Sequence, residues 1–177
     1  MTRFLLFLTM CISSIVYAQK TDFTKETLSG SFLDIKKNKV SFAEILKKHQ
    51  GKTVVLEIWA SWCSDCVAAM PKLKELQEKF TNVDYVFISM DKTYEAWIKG
   101  IEKHKIIGNH YFSNTPWKKS EFAKSITLDW IPRYMVISPK GKIILFKAVE
   151  PDDKKLIHIL SNIKDKKTSN KLMLKPN

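Results

Sequence analysis

Cys63 and Cys66, two residues apart in the stretch LEIWASWCSDC, are the side chains of this sequence best suited to carry chemistry. A pair at this spacing can be a structural staple, half of a metal site, or a dithiol that works by opening and closing. The staple is not required, because 177 residues with 45% apolar content can bury a core unaided. For a metal, the one other cysteine is Cys11, and His49, His104, His110 and His158 are scattered with no close pair, so no zinc ligand set is expected. The dithiol needs a nucleophilic sulfur whose thiolate is stabilised and a second sulfur within reach to resolve a mixed disulfide.

The flanking segments supply both conditions. TVVLEIW is a continuous run of β-branched and large apolar residues, as expected of a central strand buried on both faces. After Cys63, Val67, Met70, Leu73, Leu76 and Phe80 recur at steps of three and four, marking one face of a helix that continues through Pro71 with a kink. Cys63 then lies over the helix N-terminus, where unpaired N–H groups and the positive end of the dipole favour a thiolate. Cys66 falls about one turn further on, as the buried, resolving thiol. Glu57, in the middle of the strand, is expected to be buried with a raised pKa and placed to accept the proton of Cys66; an edge position or a lysine partner is its alternative. Trp62 precedes Cys63 and can wall the sulfur, whereas Trp59 is expected in the core.

Around this unit the chain alternates strand and helix. A hairpin is expected at KKNK and a short helix capped by Ser41 over SFAEILKKHQG. There follow a strand at VDYVFISM, a helix at TYEAWIKGIEKH, a short strand at HYF, an antiparallel hairpin over WIPRYMVISPKGKIILFKAV and a closing helix over residues 152–163. Residues 166–177 read as a basic, irregular and flexible tail. The predicted class is α/β, a mixed sheet flanked by helices.

The first eighteen residues, MTRFLLFLTMCISSIVYA, have the form of a signal peptide, with Arg3 as the basic segment, an apolar stretch and V-x-A before Gln19. Residues 1–18 are therefore expected to direct export to the periplasm and 19–165 to form one domain. An uncleaved anchor and lipidation at Cys11 are the rival readings of this segment. In an oxidising compartment a CxxC is by default bridged or redox-active. The net charge of +12 comes from lysines spread over the whole chain. That distribution suits a solvated basic surface with weak attraction to anionic membranes and no nucleic-acid site.

WASWCSDC, Glu57 six residues before the first cysteine, Pro71 five after the second, and Ile131-Pro132 before a strand together resemble the thioredoxin superfamily, within it the exported TlpA-like thiol-disulfide oxidoreductases. The resemblance covers about residues 32–163. It implies a thioredoxin fold with an N-terminal hairpin layer and an inserted helix and strand, since the stretch from Cys66 to Pro132 exceeds what a minimal thioredoxin needs. It further implies that Pro132 is cis and faces the disulfide, and that Ile131 pairs backbone to backbone with substrate. Protein thiols and disulfides are the implied substrates, a membrane thiol transporter is the implied electron donor, and no cofactor is implied beyond the Cys63–Cys66 disulfide. Two departures bear on the direction of electron flow: Ser64-Asp65 replaces a proline-containing pair, and Arg133 replaces a small hydroxylated residue. Asp65 opposes the Cys63 thiolate and favours a reductant; a guanidinium at Arg133 close to the sulfur can cancel it. Disulfide formation or isomerisation, a thiol peroxidase, and a binding module with a permanent disulfide remain the alternatives.

Overall fold

The computed structural model describes residues 20–173, with side chains through residue 163. The expected signal segment lies outside the described residues. Among them, no helix is long and apolar enough to cross a membrane.

The described residues form a seven-stranded sheet in the order β2-β1-β5-β4-β3-β6-β7. Its centre is β3 (Val54–Trp59), buried at every position, between β4 (Asp84–Ser89), parallel to it, and β6 (Arg133–Ile137), antiparallel. A strand with neighbours on both edges and helices on both faces cannot alternate apolar and polar, which explains the unbroken TVVLEIW. Helix α3 (Ser64–Lys79) connects β3 to β4 and runs through Pro71 without interruption. Helix α4 (Tyr94–His104) connects β4 to the parallel strand β5 (Asn109–Ser113). Both crossovers step the same way across the sheet, so the right-handed rule sets α3 and α4 on one face.

The other face is covered by α1 (Lys25–Leu28), α2 (Phe42–Lys48) and α5 (Glu121–Ser125), joined to β1 (Ser31–Asp34) by edge-to-face contacts among Phe32, Phe42 and Phe122. Ser41 caps α2 in a complete capping box with Glu44. The expected N-terminal hairpin is β1 with β2 (Lys39–Ser41), and because β1 also pairs antiparallel with β5 it extends the main sheet. An unpaired edge of β5 would otherwise expose its backbone groups, and β1 satisfies them.

Strand β7 (Ile143–Ala148) closes the other edge through a turn at Gly141, whose φ of +78° lies in the left-handed region that favours glycine. Helix α6 (Lys154–Met173) is longer than expected. It includes residues 166–173, read above as irregular from their polarity; a polar stretch without Gly or Pro can extend an existing helix.

Candidate active site

The central strand ends at Trp59, and four residues later the chain enters α3. Cys63 is the N-cap of that helix: its Sγ accepts the Cys66 N–H at 3.1 Å, and its carbonyl accepts the Val67 N–H at 3.0 Å. An N-cap sulfur therefore takes the place of the usual Ser or Asp oxygen, and the hydrogen bond that caps the helix also favours negative charge on sulfur. Cys66 sits in the first turn. The two are joined as a disulfide with Cα atoms 5.3 Å apart. Cys63 is 7% exposed and Cys66 0%, so Cys63 is the sulfur on the solvent side.

Beneath the helix lies Glu57. Trp59 shares its side of β3, two residues on, and packs against Gly100 of α4, so this is the face covered by α3 and α4. Glu57 is 1% exposed and neither carboxyl oxygen has a hydrogen-bond partner among the described residues. Burial raises its pKa to about 8. The Tyr134 hydroxyl, directly across on β6, opposes that rise but is not within hydrogen-bond distance. A carboxyl in this state holds a proton near neutrality and can exchange it.

The second wall comes from the segment before β6. The Ile131–Pro132 peptide bond is cis, and the Ile131 carbonyl oxygen is 3.5 Å from Cys63 Sγ. Trp62, Cys63, Ser64, Asp65, Trp117, Trp130 and Ile131 line a cleft of about 200 Å³. Trp62 and Trp130 are 54% and 56% exposed, an unusual amount of open aromatic surface that is concentrated beside the sulfur. Ser64 and Asp65 are exposed on the helix start, linked by a long contact of 3.4 Å.

Arg133 does not belong to this cleft. Register pairs Glu57 with Tyr134 and Ile58 with Arg133, so strand alternation turns Arg133 to the face opposite Glu57 and Tyr134. There its buried guanidinium pairs with Asp129 and donates to the carbonyls of Ile126 and Thr127 at 3.4 and 3.3 Å. Arg133 ties down the chain that leads to Pro132, and its charge is held by Asp129 on the face of the sheet opposite Glu57.

Three further residues shape the site that the sequence reading did not single out. Asp91, just past β4, is buried and accepts Ser61 N–H at 3.1 Å, Ser61 Oγ–H at 2.6 Å and Ser89 Oγ–H at 2.7 Å. It thereby anchors the loop that delivers Trp62 and Cys63. Gly100 presses on the same loop: a Cβ there would lie 2.6 Å from Ser61 Cβ. Trp117, in a single 3-10 turn (Trp117–Lys119), is held by its Nε1–H donating to the Leu128 carbonyl at 3.1 Å. An acid ending an apolar strand run, as in VFISMD, is the signal that could have found Asp91; Trp117 had none, since its neighbours show no periodicity.

Among the described residues there is no cluster of three or more His, Cys, Asp or Glu able to hold a metal. The family model described as thioredoxin-like matches residues 51–143, more than half of the chain and the whole span from β3 to the last hairpin. Among curated relatives, the thiol-disulfide oxidoreductase ResA of Bacillus cereus is 26% identical over 128 residues, 71% of this chain and 69% of that protein. Thioredoxin H8 of Arabidopsis thaliana is 38% identical over 52 residues, 29% of this chain. The chain spans only 17%, 35% and 36% of the length of three such relatives. Among solved structures, the thioredoxin domain of a thiol-disulfide oxidoreductase from Bacteroides vulgatus superposes with a TM-score of 0.62 at 25% identity, covering 75% of this chain and 91% of that one. A CxxC at the start of the helix after a central strand, a cis Ile131–Pro132 peptide bond beside it and the matching family model converge: the chain belongs to the thioredoxin-like family.

Proposed function

We propose that this protein is an exported enzyme that reduces disulfides in other proteins. The observation that carries the reading is the asymmetry of the two sulfurs: Cys63 caps a helix at the floor of an open, tryptophan-lined cleft, while Cys66 is fully enclosed behind it. In the reduced enzyme the Cys63 thiolate attacks a substrate disulfide, forming a mixed disulfide and releasing one substrate thiolate. Cys66, giving up its proton, then attacks Cys63 Sγ, closing the Cys63–Cys66 bond and releasing the second substrate sulfur as a thiolate. Two electrons pass from the dithiol to the substrate, and the Cys66 proton goes to the ionised form of Glu57, whose share grows as pH approaches 8. Ile131 offers backbone to the incoming chain beside Cys63. The disulfide is itself the redox group, and no cofactor is invoked.

Export rests on residues 1–18, and a reductant in an oxidising compartment must be recharged, which calls for a membrane thiol donor. The basic surface would add weak attraction to an anionic membrane. Reduction is preferred to disulfide formation because Asp65 lies at the cleft while the Arg133 charge is on the other face of the sheet. That places the expected potential near the thioredoxin value of about −270 mV, well below the strong oxidants at about −120 mV. The test is trapping: Cys66→Ser should accumulate mixed disulfides at Cys63, and iodoacetamide should label Cys63 first in the reduced wild type. Preferential labelling of Cys66, or a potential above about −180 mV, would overturn the mechanism or its direction respectively.

A further inference from the structure

A larger groove opens from the active-site cleft and is not used by the mechanism above. Its volume is about 730 Å³, and Trp62 and Trp117 line both spaces, so a chain lying over the disulfide continues into it without leaving the surface. The floor is apolar: Leu33 and Phe112 are register partners on one face of the sheet, and Met90 and Tyr94 complete it. The rim is basic. Lys92, Lys118 and Lys119 are exposed around the opening, and none is paired with a carboxylate among the described residues. The acid that lines the groove, Asp91, is buried and committed to Ser61 and Ser89.

Resting on the oxidoreductase reading, we propose that this groove recognises an extended polypeptide segment of the substrate protein, carrying a large apolar side chain near its reactive cysteine and carboxylates next to it. The apolar side chain fills the floor between Trp62 and Trp117, and the carboxylates meet the three lysines. A small acidic thiol would be too short to reach from Cys63 into the groove and use both features. The walls come from segments far apart in sequence: the ends of β4 and β5, the start of α4, β1 and the 3-10 turn. The insertion that lengthens the chain between Cys66 and Pro132 therefore supplies most of the recognition surface.

The test uses reduced full-length protein and nine-residue peptides whose single cysteine is joined by a disulfide to 5-thio-2-nitrobenzoate, so that each reduction releases a coloured thiolate. One peptide carries Trp near the cysteine and three Asp beside it; a second replaces Asp by Lys, and a third replaces Trp by Ser. The acidic Trp peptide should react about tenfold faster than the Lys peptide at low salt, with the gap shrinking in high salt as screening grows. The Ser peptide should be slower by roughly fivefold. Lys118→Glu combined with Lys119→Glu, both at exposed positions, should abolish or reverse the charge preference while leaving reduction of 2-hydroxyethyl disulfide unchanged. Equal rates for all peptides, or glutathione disulfide reacting as fast as the acidic peptide, would overturn the groove while leaving the oxidoreductase intact. No reaction with 2-hydroxyethyl disulfide would sink both.

Discussion

Replacing Glu57 by Gln keeps the shape of the buried side chain and removes its ability to ionise, which makes it the sharpest probe of the site. In the folded protein the carboxyl holds its proton up to about pH 8, against 4.5 for the ordinary acid. Between these values the folded state binds more protons than the unfolded one, so stability from this group is fully present below pH 4.5 and falls as pH rises towards 8. At about 1.4 kcal/mol per pH unit, the interval corresponds to a loss of roughly 4–5 kcal/mol, a large fraction of the total stability of a domain. The amide of the Glu57→Gln variant does not titrate and suffers no such loss. Urea unfolding of the oxidised wild type and Glu57→Gln should therefore coincide near pH 4.5 and diverge by several kcal/mol by pH 8 to 9, with the variant more stable. Groups that titrate alike in both proteins, His110 among them, cancel in the difference. The same variant should slow closure of the Cys63–Cys66 bond at neutral pH by about ten- to a hundredfold while leaving the first attack by Cys63 nearly unchanged. Parallel stability profiles across the whole range would refute the buried acid, and unaltered closure would leave it a structural residue only.

Arg133→Thr should lower stability by about 2–3 kcal/mol through the unsatisfied Ile126 and Thr127 carbonyls and the space left behind, read by denaturant unfolding. Its active-site potential should stay within a few millivolts of wild type, because its charge lies on the far face of the sheet. Asp65→Asn should do the reverse, raising the potential by about 10–30 mV in a glutathione equilibration with little change in stability, since removing a nearby negative charge favours the Cys63 thiolate and hence the reduced form. Asp91→Ala should cost about 1–3 kcal/mol for the Ser61 and Ser89 donors it strands. It should also slow attack by Cys63 on protein disulfides without shifting the potential; a normal rate with full stability loss would confine Asp91 to folding.

Local patterns were enough for the unit that does chemistry. TVVLEIW declares a strand buried on both faces, the spacing from Val67 to Phe80 declares the helix, and the two cysteines fall at the join, so Cys63 as N-cap and Cys66 in the first turn follow from periodicity alone. The burial of Glu57 follows in the same way, because a residue in the middle of a central strand has nowhere else to be. What the sequence left open are relations between segments distant along the chain. Whether Arg133 meets the sulfur depends on strand parity in the β3–β6 register, a single-residue difference that reverses the face. Whether the N-terminal hairpin stands apart or joins the sheet depends on β5 needing a partner along its free edge. Asp91, Gly100, Trp117 and the lysine-rimmed groove gain their roles only where loops from four regions meet over one end of the sheet. Periodicity reports which face of its own element a side chain takes; it carries no information about which other element that face will touch, and that is settled only by the packing of the whole chain.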